Sequence, residues 1–302
     1  MEIKLETMQV GEWIFPLSFD KIKMDKVFKK RAVDFLGDWS QAFSQENSWV
    51  DQNISVPSLI VRLDCVNNGS LKVYEVEERP AGVGISCHLS ADFRGRLVSL
   101  QKDWPEFKSL ISEKRRAHDD NLWLESLNSE EALNCEDLLL VRSEPEEGFY
   151  HKFQERSVST LLNKGDKSYG EKMGLWKKVT PEDFSQFPWE EGFCLKPLKS
   201  SKCRGVEIFH PANKKRKNKN RTRGASTKTR IQKTLSHYKE MYLQPLIEPE
   251  NCPFFLGNKM ALRIFFGYNV KKSEYQFLGG VWNSRPNLKI HGSSDTIMGI
   301  IE

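Results

Sequence analysis

Residues 57-PSLIVRLDCVNNGSLKVYEVE-77 decide how this chain is read. Two β-rich runs flank 67-NNGS-70, and Asn-Gly between such runs is the strongest short hairpin signal. Side chains alternate along a strand, so Arg62 and Asp64 share a face on the first run, and Glu75 and Glu77 share one on the second. A register set by this turn clusters all four. Three carboxylates beside an arginine offer oxygen ligands to a hard cation such as Mg2+, which keeps waters and nucleotide phosphates around it. A charged strand face turned to solvent carries the same residues, and alternation does not choose between the two.

The rest of the 302-residue chain has the composition of a globular protein, 38% hydrophobic and 29% charged. It holds no run of eighteen apolar residues, so no membrane span is expected. The opening MEIKLETMQVGEW lacks the basic and apolar regions of a secretory signal. Six cysteines (65, 87, 135, 194, 203, 252) form no CxxC and no zinc spacing. They read as reduced structural thiols in a cytoplasmic protein. The net charge of +5 belongs to one segment. Residues 213–230 carry nine Lys/Arg and no acid, and elsewhere 37 Lys/Arg face 41 Asp/Glu. That segment reads as a mobile loop, as a lid over an acidic substrate, or as a contact for nucleic acid or another polyanion.

Residues 20–50, 105–135, 152–163 and 231–241 read as helices, and 137–143 as a strand. A second strand pair is expected at 193-FCLKPL-198 and 205-GVEIF-209, joined by 199-KSSKCR-204. Further strands are expected at 242–247, 260–268 and 275–282, with a polar turn, 291-HGSSDT-296, before 297-IMGII-301. Irregular alternation with hairpins predicts an α+β fold with mixed or antiparallel sheets. GxGxxG after a strand and GxxxxGK[ST] are both missing, which argues against Rossmann and P-loop phosphate sites.

Several cations sit in apolar company. Lys196 lies in an apolar run where an unpaired ammonium is costly. The loop after it holds Ser200, Ser201, Lys202, Arg204 and Gly205, whose hydroxyls, cations and backbone N–H groups suit closure over phosphates. An ordinary edge strand carries a lysine as readily. The strand around Gln244, Pro245 and Leu246 could offer backbone groups to a flat base, while Arg263 and Arg285 should each meet an anion.

In this order the pieces resemble the circularly permuted ATP-grasp proteins of the glutathionylspermidine-synthetase-like group. Residues 61–85 resemble that group's N-terminal metal hairpin, and 195-LKPLKSSKCRGVEI-208 its phosphate loop. The stretch 242-YLQPLIEPE-250 resembles the adenine hinge, and 279-GGVWNSRPNLKIHGSSDTIMGII-301 the closing Gly-Gly strand with its arginine and turn. The resemblance covers 57–86 and 160–301. It departs at Glu75-x-Glu77, where the group has Glu-x-Asn.

What the resemblance implies is an α+β ATP-grasp fold, circularly permuted, whose sheets sandwich a nucleotide. The cofactors would be ATP and Mg2+, with Asp64, Glu75 and Glu77 on the metal. Lys164 and Lys196 would hold phosphates with Ser200, Ser201, Arg204 and Gly205, and Gln244, Pro245 and Leu246 would face adenine. Arg62 and Arg263 would stabilise the transferring phosphoryl group, with Asp295 and Thr296 near the reacting centre. The implied activity is a carboxylate–amine ligase joining small-molecule or peptide substrates through an acyl phosphate. The implied divisions are 1–95 with the metal hairpin, 96–158 as a small α/β region, 159–240 as one lobe and 241–302 as the other. Competing readings are a polyanion-binding protein acting through 213–230 and an ATP-grasp-like interaction protein without catalysis.

Overall fold

The computed structural model describes residues 5–10, 13–47, 60–77, 82–103, 168–198, 205–211, 227–286, 288, 290 and 296–302. The helices expected at 105–135 and 152–163 and the strand at 137–143 lie outside them. So do the loop 199–204, residues 213–226 of the basic segment and residues 291–295 of the last turn. Two compact units emerge. One joins Met1–Lys164 to Pro249–Glu302, and the other is Gly165–Glu248.

The larger unit is built on one mixed sheet. Its strands are β1 (Leu5–Val10), β2 (Trp13–Ile22), β3 (Ile60–Asn67), β4 (Leu71–Glu77), β9 (Glu250–Asn251), β10 (Lys259–Asn269), β11 (Glu274–Arg285) and β12 (Ile297–Ile301). They run in the order β1-β2-β12-β11-β10-β3-β4, with β9 pairing on β10. Every pairing is antiparallel except β12 with β2. The β3–β4 hairpin forms at the expected place, turning through Gly69 at φ 71°, where a residue without Cβ is unstrained.

Helix α1 (Lys26–Asn47) starts later than the sequence suggests, because residues 20–22 complete β2. Ile22 pairs with Ile301, and the Asp25 carboxylate accepts from the Phe28 N–H at 2.7 Å, the geometry of an N-cap. Phe28, Ala32, Leu36 and Trp39 are buried at helical spacing, and Trp39 meets Tyr275 of β11. On the same face Trp282 donates its indole N–H to the Asp20 carbonyl at 3.1 Å. Gly299 lies opposite it, and a Cβ there would fall 2.3 Å from the indole ring. The other face carries α2 (Val83–Leu89) and α3 (Ala91–Gln101). Phe93 sits edge-on to Phe265, and Ile85 packs with Val281 and Met298. The middle of the sheet is therefore covered on both sides.

The smaller unit has a four-stranded antiparallel sheet of β5 (Lys177–Val179), β8 (Met241–Pro245), β6 (Phe193–Pro197) and β7 (Glu207–Phe209), in that order. The expected pairing of 193–198 with 205–209 is present. β8 bonds to both β5 and β6, so this strand belongs here and not with the C-terminal strands, as a division at residue 241 implies. Val179, Phe193, Leu195, Phe209, Met241 and Leu243 pack one face against Phe187 and against Ile231 and Leu235 of helix α5 (Thr227–Tyr238). That helix begins inside the basic segment, so Lys228 and Arg230 are helical. Arg230 pairs with Glu207 at 2.9 Å, and Lys228 lies 4.6 Å from the Trp189 ring centroid.

A capping box closes the 3-10 turn Pro181–Gln186. Thr180 donates its N–H and hydroxyl to Asp183 at 2.8 and 3.1 Å. These two bonds, backbone first, hold the Asp183 carboxyl below its ordinary value. A depressed acid contributes stability above its unfolded pKa and loses it as pH falls through the folded one. We therefore expect this unit to lose stability as pH drops below about 4. Asp183→Asn should remove part of that slope, measured by urea unfolding across the acid range.

Candidate functional site

In the larger unit the hairpin register sets Arg62 opposite Glu77 and Asp64 opposite Glu75. Directly opposed residues share a face, so the four side chains form one strip. Arg62 is 5% exposed. It donates from Nε to Asp64 Oδ1 at 2.6 Å and from Nη2 to Asp64 Oδ2 at 3.0 Å. Its Nη2 also meets Glu77 Oε2 at 2.5 Å. Burial works against the charged guanidinium, but Asp64, Glu77 and Glu75 together outweigh it and hold its pKa above the ordinary arginine value. On the neighbouring strand Arg263 lies opposite Asp64, with Nε 3.7 Å from Oδ2.

The strip thus gathers five of the expected residues: Arg62, Asp64, Glu75, Glu77 and Arg263. Carboxylate oxygens are the donors a hard cation takes, so the donor chemistry suits Mg2+. Asp64 and Glu77 are engaged by Arg62, and among the described residues no group of three or more His, Cys, Asp or Glu is arranged to hold a metal.

In the smaller unit the apolar face leaves the alternate residues on the other side. Lys196 lies opposite Tyr242, and Cys194 opposite Gln244. Lys196 and Gln244 are 7% and 3% exposed, unusual burial for either residue type. Lys196 Nζ sits 5.0 Å from the centroid of the Trp176 ring, and that ring leans against Tyr242. Sequence reasoning missed Trp176, which follows a short helix, α4 (Ser168–Lys172), with no pattern to mark it. Pro245 ends β8 in an exposed position, and Leu246 donates its N–H to the Gly192 carbonyl at 3.3 Å. Gly205 has a local reason to be glycine. Its φ is 70°, and a Cβ there would fall 2.3 Å from the Tyr238 hydroxyl.

Lys164, Ser200, Ser201, Arg204 and Asp295 lie outside the described residues, while Thr296 is fully buried. Among the described residues Cys65, Cys87 and Cys252 are buried and Cys194 half-buried, none of them in a disulfide, and burial, then Asp64 and Glu250, pushes the Cys65 thiol well up, which disfavours a nucleophilic thiolate. Among the described residues no helix is long and apolar enough to cross a membrane.

No protein-family model matches the sequence, and none of the curated proteins compared with it does. Among solved structures, the chain is similar to the apo form of a glutathione synthetase-like effector from Globodera pallida. The identity is 10% and the TM-score 0.42, over 98% of this chain and 92% of that one.

Proposed function

We propose that this protein is an ATP-dependent carboxylate–amine ligase of ATP-grasp type. The observation that carries the proposal is the strip in which Arg62 and Arg263 sit among Asp64, Glu75 and Glu77. Buried charges at this density are costly unless they are matched, and fixed cations beside hard-donor oxygens are what phosphoryl transfer requires. Asp64, Glu75 and Glu77 would hold Mg2+, which when bound offsets charge on the nucleotide phosphates. Arg62, which meets Asp64 and Glu77 in the structure, would be the cation offered to phosphoryl oxygens. The face carrying Lys196 and Gln244 would bind nucleotide, with Lys196 as a point charge on phosphate and Gln244 beside the base. The two substrates make and break the covalent bonds, so no side-chain nucleophile is needed.

Metal dependence tests the assignment of the strip. Titration with a non-hydrolysable ATP analogue should give binding that strengthens when Mg2+ is added. Glu75→Gln keeps the shape of the side chain, removes its charge, and should cut that strengthening about tenfold, the equivalent of about 1.4 kcal/mol. An unchanged Mg2+ response in Glu75→Gln would place the metal elsewhere.

A further inference from the structure

We propose that Asn283 is a ligand-binding residue whose carboxamide, beside Arg263, receives an oxyanion, either a carboxylate or a phosphoryl group. Asn283 is 0% exposed, and among the described residues neither its Oδ1 nor its Nδ2 has a hydrogen-bond partner. A buried carboxamide that loses water at both ends without replacement is strongly unfavourable. Native interiors rarely tolerate one without a reason. Packing gives no reason here. Ala261 and Met298 lie opposite Asn283 on the two flanking strands, and a leucine of similar volume would suit such neighbours.

Sheet parity shows where the carboxamide belongs. Val281 lies opposite Arg263, and Arg263 opposite Asp64. Asn283 is two residues beyond Val281 with no register shift between them, so it shares the face of the Arg62–Asp64–Arg263 strip. It lies diagonal to Arg263, a Cα spacing of about 7–8 Å that one carboxylate or phosphoryl group can bridge. Nδ2 is a donor and Arg263 a cation, and together they suit an oxygen anion. Oδ1 remains to accept an N–H or O–H from the same ligand or its neighbour. The subsite rests on Asn283 and Arg263 alone. That its anion belongs to a ligase substrate rests on the function proposed above.

The test uses the full chain as wild type, Asn283→Leu and Asn283→Asp. In 15N spectra the Asn283 side-chain amide is identified by its disappearance in either variant, then followed in the wild type during titration with inorganic phosphate and, separately, acetate. A saturable shift with phosphate assigns a phosphoryl subsite, and one with acetate a carboxylate subsite. Indifference to both overturns the proposal. Thermal unfolding supplies a second readout. Unliganded Asn283→Leu should melt about 2–4 °C above wild type, because an unsatisfied amide is replaced by an apolar group. A fall of that size would mean that Asn283 makes structural hydrogen bonds, and would also overturn it. The two readings fail separately. Anion binding at Asn283 in a protein that binds no ATP analogue leaves the subsite standing and removes the ligase. An analogue that binds while the Asn283 amide ignores both anions does the reverse.

Discussion

Arg62→Ala should destabilise the larger unit by about 3 kcal/mol, more than any other single change in the strip. The substitution removes a side chain that is 6% exposed and leaves the diagonal neighbours Asp64 and Glu77 without the guanidinium that joins them. Breaking a buried ion cluster costs more than the cluster contributes, because the surviving charges stay desolvated. Asp64 and Glu77 keep 19% and 25% side-chain exposure, so water softens the loss, and the figure stands at the low end for buried pairs. Thermal unfolding should show a fall of about 6–12 °C. Arg62→Lys should recover only part of it, since an ammonium cannot donate two parallel bonds to Asp64. Neutralising the partners as well, in Arg62→Leu with Asp64→Asn and Glu77→Gln, should recover most of it. If Arg62→Ala melts with the wild type, the three groups are not a coupled cluster.

Lys196→Ala should behave in the opposite way, with binding lost and stability kept. Lys196 is buried opposite Tyr242 and near Trp176. Ala gives up the contact with Trp176 together with the desolvation cost of the ammonium, two effects of opposite sign, so the melting temperature should change little. A charged hydrogen bond to phosphate is worth about 1.5–3 kcal/mol, so nucleotide affinity should fall about 100-fold, or about 2.7 kcal/mol. Loss of function without loss of stability separates a residue kept for a ligand from one kept for the fold.

Local patterns carried the β3–β4 hairpin and its facing charges, because an Asn-Gly turn and a period of two are enough to set Arg62 against Glu77 and Asp64 against Glu75. Strands β10, β11 and β12 were legible for a similar reason, as apolar runs between polar breaks. The β1–β2 hairpin was not. Pro16 sits inside β2 and argues against a strand. It stands opposite Thr7 in the β1–β2 ladder, one residue before the parallel pairing with β12 begins at Leu17. What surrounds the charges was also hidden. Arg263 meets Asp64 through strands some 200 residues apart, and no local spacing records that pairing. Asn283 looks like an ordinary polar strand residue until sheet order places β11 between β10 and β12, under helices on both faces.

The central claim is nucleotide binding, and isothermal calorimetry with a non-hydrolysable ATP analogue and Mg2+ tests it most directly, run on wild type and on Lys196→Ala. The ligase account predicts metal-dependent binding by the wild type that the variant loses while keeping its melting temperature. A wild-type protein that takes up no nucleotide, or a variant that binds as well as the parent, would contradict it.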